Sequence, residues 1–191
     1  TKRSKSRGNG GNTNKVIEDY GADSMRLYEM FMGPLEATKP WSMQGVEGVH
    51  RFLQRVWRAV VNEETASLDE SVKDIAAGED TLRLLHQTIK KVGDDTENFR
   101  FNTAISQMMI FANHLSQLDV KPRAVIENFI QILSPYAPHI AEELWEKLGQ
   151  RQSLTYEPWP KYDTELIKEK EVELAVQVNG KVRPRVAVAP G

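Results

Sequence analysis

The sequence contains no cysteine. That excludes a disulfide framework, a thiolate zinc site and a cysteine nucleophile, and it is compatible with a reducing compartment. No apolar run approaches the ~18 residues that a membrane-spanning helix requires. Residues 1–15 lack any acid and residues 1–14 lack any aliphatic side chain. The opening segment therefore cannot feed a core, and without an apolar stretch behind its basic residues it is no secretory signal. His86, His114 and His139 share no short spacing of the kind zinc pairs use, so no metal site is expected.

What is present describes an ordinary globular chain. Hydrophobic residues make up 40% and charged residues 27%, enough for 191 residues to bury one or two cores. The net charge of −2 is unevenly spread. Lys2, Arg3, Lys5, Arg7 and Lys15 meet no acid, whereas the rest of the chain carries 20 basic against 27 acidic side chains. Only this amino-terminal arm is built for a polyanion, and contact there would be local. Taken alone, TKRSKSRGNGGNTN with its three glycines and three asparagines is the composition of a mobile loop, a frayed terminus or a tag.

Beyond it the hydrophobic spacing turns helical. Asn14 can cap a short helix from Lys15 that carries Val16 and Ile17. Asp23 falls in the first turn of a second, with Leu27, Met30 and Phe31 on one stripe, ended by Gly33-Pro34. A third is expected over 45–63, with Val49, Phe52, Leu53, Val56, Trp57 and Val60 at spacings of three and four. Leu82, Leu85, Ile89 and Val92 define a fourth; Phe101, Ile105, Met108, Met109, Ala112 and Leu115 a fifth; Val125, Ile126, Phe129, Ile130 and Leu133 a sixth. Pro135 and Pro138 interrupt the chain, and Ile140, Leu144, Trp145 and Leu148 mark a last helix stopped by Gly149. Amphipathic helices with short connections pack as an antiparallel bundle. On these stripes the methionines, Trp57 and Trp145 are core; Trp159, between two prolines, pins a linker back onto the bundle. Asp94-Asp95 and Glu142-Glu143 are helix-end or surface acids.

From 172 to 188 the period changes to two, around Asn179-Gly180, which predicts a β-hairpin. A three-residue connection over 179–181, pairing Val178 with Val182, keeps the apolar residues on one face; a two-residue loop would split them. Pro184 should sit where its nitrogen faces away from the partner strand. A lone hairpin is rarely stable, so the expectation is that the chain stops inside a domain.

Four segments carry a resemblance. Lys2-Arg3-Ser4-Lys5-Ser6-Arg7-Gly8-Asn9 resembles the KMSKS motif of class I aminoacyl-tRNA synthetases and its trailing RGN. Residues 20–42 (YGADSMRLYEMFMGPLEATKPWS) are similar to leucyl-tRNA synthetases throughout. Residues 99–106 (FRFNTAIS) and 134–145 (SPYAPHIAEELW) resemble the anticodon-binding bundle of leucyl, isoleucyl and valyl enzymes. Residues 176–183 (VQVNGKVR) look like the start of the carboxy-terminal region of bacterial-type leucyl enzymes. The chain is identified as a carboxy-terminal fragment of the leucyl-tRNA synthetase family.

This resemblance implies a mainly α fold: an antiparallel helical bundle of the class I synthetase anticodon-binding type, with a short β-hairpin at its carboxy-terminal end. It divides the chain into a catalytic loop (1–14), connector helices (15–44), a tRNA-binding bundle (45–150), a linker (151–170) and the start of a β-containing domain (171–191). It also implies an enzyme that joins leucine to ATP, with Mg²⁺, and passes the leucyl group to tRNA(Leu). Lys5, assisted by Lys2, would meet the ATP phosphates as charge develops, with Ser4 and Ser6 donating hydrogen bonds. Arg3 stands where the family has methionine, Gly10-Gly11 where valines are common, and Pro184 where glycine is usual. The first two remove apolar anchors for closing the loop. Neither a nucleotide fold nor an HIGH motif accompanies the loop, and Pro138-His139-Ile140 is a poor imitation of one. The 191 residues alone are thus expected to be inactive, a point that leucine-dependent ATP–pyrophosphate exchange tests. A monomer in the cytoplasm or an organelle matrix, with no membrane partner, is expected.

Arg51, Arg55 and Arg58 fall at i, i+4 and i+7 on the third helix, opposite Phe52, Val56 and Val60. A solvated basic face is one reading. Contact with tRNA phosphates is the other, since arginine forks match phosphate oxygens. The alternative to a synthetase piece is a non-enzymatic helical module holding RNA or a protein; titration with folded tRNA against unrelated proteins separates them.

Overall fold

The computed structural model describes residues 13–34, 36 and 40–168, and the backbone of 172–178 and 181–188. Lys2, Ser4, Lys5 and Ser6 lie outside the described residues. Seven helices build the folded body in the order expected: α1 (Thr13–Tyr20), α2 (Ala22–Phe31), α3 (Met43–Val60), α4 (Glu79–Glu97), α5 (Phe101–Leu115), α6 (Arg123–Leu133) and α7 (Pro138–Lys147). A short eighth, α8 (Thr164–Ile167), packs against α4. Among the described residues, no helix is long and apolar enough to cross a membrane.

The helix ends follow capping chemistry. Ser42 caps α3, its hydroxyl accepting from the Gly45 N–H, so the helix begins two residues before the expected position and ends at Val60. The chain then turns through Asn62, whose side chain accepts from Glu64 and Thr65. Gly149, at φ 87°, ends the stretch after α7, the left-handed position that glycine adopts without a Cβ penalty.

The apolar stripes meet in one core. Val49, Phe52 and Val56 of α3 share one buried cluster with Ile105, Met108 and Phe111 of α5, Ile89 and Val92 of α4, and Ile126, Phe129 and Ile130 of α6, with α5 packed against both α3 and α4. Burial at ~25 cal/mol per Å² of apolar surface is what holds these helices together. Phe111 is fully buried and tilts onto Phe129 at 5.0 Å, although the expected stripe on this helix omitted it. Trp145 is core, its Nε1 donating to the Gln152 carbonyl at 3.0 Å. Trp57 is only half-buried, correcting the core assignment: the Lys147 ammonium lies 5.6 Å over its ring. Met108 is fully buried, while Met25, Met30, Met32 and Met109 pad the core from its margin.

Two glycines inside helices face aromatic rings, at different distances. A Cβ on Gly45 would meet Tyr28 Cε2 at 2.6 Å, and that ring is fixed by burial and by its hydroxyl, which accepts from the Ser42 N–H at 2.7 Å. Gly93 of α4 faces the Trp159 indole, whose Nε1 would lie 3.4 Å from an added Cβ. Trp159 thus rests on the bundle, as the sequence suggested. Both substitutions to alanine gain ~1 kcal/mol of helix propensity, yet they should differ in sign. Gly45→Ala is expected to destabilise by about 1–2 kcal/mol through overpacking; Gly93→Ala should be neutral or stabilising by up to about 1 kcal/mol. Urea unfolding of the two variants checks this, and equal effects would contradict it.

Among the described residues, two small sheets complete the fold. The parallel pair β1 (Val72–Lys73) and β2 (Lys121–Pro122) was not anticipated; two residues each give no readable period. It is held by Lys121 Nζ donating to the Ser71 hydroxyl at 2.6 Å and by Arg123 paired with Asp74 at 2.8 Å. The second sheet is the expected hairpin of β3 (Val172–Val178) and β4 (Lys181–Val188). Its register corrects the three-residue connection near the turn, where Val178 pairs with Lys181 and Gln177 with Val182. Further out it shifts, so Ala175 pairs with Arg185, Leu174 with Val186 and Val172 with Val188. Val176 is therefore set opposite Arg183 and Pro184 together, a bulge that admits a proline without a ladder bond. The outer half recovers the pairing of apolar positions that the alternation demanded.

Candidate nucleic-acid interface

The three arginines lie along the outer side of α3 because its inner stripe is committed to the core. Arg51 is exposed and sits 3.9 Å from Glu47, itself about half exposed. A pair this open and this long contributes little and competes weakly with another anion. Arg58 is exposed and makes no ion pair or hydrogen bond among the described residues. Arg55 differs from both. It is half-buried, and its Nη1 donates to Asn113 Oδ1 on α5 at 2.5 Å. The strip therefore presents one loosely paired cation, one oriented by a neutral acceptor, and one free.

Behind the same helix a polar relay fixes the entry of α2. The Ser24 hydroxyl donates to the Tyr20 carbonyl at 2.7 Å, so His50 Nδ1, 3.1 Å away, must be the donor to Ser24 Oγ. His50 Nε2 is then an acceptor, matched by the Gln54 amide at 3.0 Å. Tyr20, Ser24, His50, Leu53, Gln54, Trp57 and their neighbours line a mostly apolar cleft of about 430 Å³. Its far wall is the start of α7, where Asp23 has an unexpected role. Buried to 7% exposure, Asp23 accepts from the Ile140 N–H at 2.8 Å, from His139 N–H at 3.4 Å and from His139 Nδ1 at 2.8 Å. It belongs to the first turn of α2 but caps α7, satisfying N–H groups that a helix start leaves orphaned.

A second buried acid organises the α4–α5 turn. Asp95 is 2% exposed, which corrects its reading as a surface acid. Folding brings Lys91 Nζ to it at 2.7 Å, Arg100 Nε at 2.8 Å and the Thr103 hydroxyl at 2.6 Å. Burial pushes its carboxyl up, but the hydrogen bonds from Lys91, Thr103 and Arg100 outweigh this and hold it below the ordinary value. Asp94 is indeed at the surface, paired with Lys90. Glu142 is half-buried and accepts from the Ser153 hydroxyl at 2.5 Å and the Leu154 N–H at 3.2 Å, tying the chain after α7 to the bundle. The histidines converge on no ion site: among the described residues no group of three or more His, Asp or Glu could hold a metal.

A helical bundle with three arginines along one helix face is compatible with more than one class of protein, and comparison with known proteins bears on which. Residues 79–191 match the family model of the anticodon-binding domain of tRNA ligase, and the chain belongs to that family. Among individual proteins, its relatives are leucine–tRNA ligases. It is 51% identical to that of Rhodopirellula baltica over 99% of this chain and 20% of the relative. It is 53% identical to that of Chloroherpeton thalassium over 100% of this chain and 24% of the relative. The chain thus spans about a fifth to a quarter of the length of these relatives. Among solved structures it is similar to the ternary complex of Agrobacterium radiobacter K84 LeuRS with tRNA and LeuAMS, with TM-score 0.75 and 29% identity over 98% of this chain and 25% of that one. The mainly α reading and the family resemblance agree with these findings.

Proposed function

We propose that this chain is the tRNA-holding part of a leucine–tRNA ligase, which joins leucine to ATP as an adenylate and passes the leucyl group to tRNA(Leu). The observation that carries the reading is identity above 50% to leucine–tRNA ligases along the entire bundle, combined with α3 arginines that are loosely paired, held by a neutral acceptor or without a partner among the described residues. In this reading Arg51, Arg55 and Arg58 contact backbone phosphates, and the bundle positions the tRNA without reading bases. The −7 balance outside the basic arm confines contact to a narrow strip. Lys5 and Lys2 meet the ATP phosphates as negative charge develops, and Ser4 and Ser6 hydrogen-bond to them; this role rests on the motif. Mg²⁺ would arrive with ATP. The complete enzyme would work as a monomer in the cytoplasm or an organelle matrix.

The test separates the two half-reactions. In the complete enzyme carrying this chain, the triple variant R51A/R55A/R58A should leave leucine-dependent ATP–pyrophosphate exchange unchanged. Its KM for tRNA(Leu) should rise by about 10-fold or more, because three charge-assisted hydrogen-bonding groups are removed. Equal loss in both assays would point to a folding defect, and no loss in either would remove the strip from the interface.

A further inference from the structure

We infer that Asn113 is the second, uncharged arm of a phosphate site shared between α3 and α5; this rests on the reading that the α3 strip meets RNA. An arginine guanidinium only donates hydrogen bonds, so the Asn113 atom facing Arg55 Nη1 at 2.5 Å has to be the carbonyl oxygen Oδ1. That fixes the amide orientation by chemistry. Arg55 is held in place by a partner that carries no charge, so its positive charge stays available. The Asn113 Nδ2 group, turned away from Arg55 Nη1, has no hydrogen-bond partner among the described residues and sits on an exposed side chain. It offers two further N–H donors beside the guanidinium fork.

The contrast with the carboxylate-paired cations of the fold supports a site rather than a strut. Lys91 and Arg100 are drawn onto Asp95, and Arg123 onto Asp74, where carboxylates absorb their charge. Arg26 also has a neutral partner, the Pro135 carbonyl, but it lies on α2, off the strip. On the strip, Arg55 alone is braced from another helix, and its brace is neutral. A phosphodiester oxygen bridging the free guanidinium nitrogens and the Asn113 amide would receive donors from two helices at once. Such a geometry fixes a phosphate's position more tightly than one flexible arginine can.

The experiment measures tRNA(Leu) binding by the complete protein as a function of potassium chloride, for wild type, R55A, N113A and N113D, with thermal melting as the folding control. R55A should weaken binding by about 10-fold and lower the salt slope by roughly 0.9. N113A should weaken binding several-fold with the slope unchanged, because no charge is removed. N113D should lower the slope by nearly as much as R55A, because its carboxylate takes up the charge of Arg55. Wild-type behaviour of both Asn113 variants beside an impaired R55A would overturn the role of Asn113 and leave the strip standing. Wild-type behaviour of R55A would overturn the strip itself, and the inference with it.

Discussion

Replacing Asp95 by alanine is expected to destabilise the bundle by about 3 kcal/mol, the low end for breaking a buried ion pair. The carboxylate is almost fully enclosed, and Lys91, Arg100 and Thr103 all converge on it. Lys91 and Arg100 are about half exposed, so water recovers part of their loss, which keeps the figure from the top of the range. The turn also carries a backbone bond that the substitution leaves in place. The Arg100 N–H donates to the Asp95 carbonyl at 2.7 Å, and Phe99 between them holds φ 57°, a conformation bulky side chains rarely adopt. Asp95→Asn retains the size but loses the charge, and should cost less than alanine and more than about 1 kcal/mol. Urea titrations at constant m-value give both numbers; a cost below about 1 kcal/mol for Asp95→Ala would show that the network is incidental.

The same carboxylate sets a pH dependence. Its folded pKa lies below the ordinary value, so the unfolded chain binds the proton more readily. Stability from this group is therefore fully present above about pH 4, the unfolded carboxylate range, and drains away as pH falls through the folded pKa. Wild type should lose stability on acidification in that window more steeply than Asp95→Asn. Asp69, lowered by hydrogen bonds from Ser71, adds a contribution of the same sign that both proteins share.

Asp23→Ala should cost about 2 kcal/mol, the upper range for loss of an N-cap. Two backbone N–H groups at the start of α7 would lose their acceptor in a partly buried seam, and α2 would lose its tether to α7. The control is His139→Ala. That side chain is 73% exposed, so losing its ring contact should cost no more than about 0.5 kcal/mol. Differential scanning calorimetry of the pair separates the two contributions. Equal effects would mean that the imidazole contact, and not the cap, carries the stability.

The helices were legible because each apolar stripe repeats at three and four, with Pro or Gly near several of the ends; α3 to α7 follow from the stripes that hold Phe52, Ile89, Ile105, Phe129 and Leu144. Side-chain partnerships were not. Asp23 and His139 are 116 positions apart, and Arg55 and Asn113 are 58 apart, and no local spacing encodes either contact. Asp95 reads as a helix-end acid until α5 folds back and sets Arg100 and Thr103 over it. The hairpin shows a conflict between local and regional signals: Asn179-Gly180 favours a short connection, the alternating valines favour another register, and the bulge at Arg183-Pro184 accommodates both. Of the candidate site, the arginine strip could be read from period alone, whereas its neutral brace on α5 could not.

The outer face of α3 is proposed to hold tRNA through backbone phosphates. That role is tested most directly by the slope of log affinity for tRNA(Leu) against log salt, wild type against R51A/R55A/R58A in the complete protein. Removing three cations from phosphates of duplex regions should reduce the slope by roughly 2–3. An unchanged slope, with the variant folded, would contradict it.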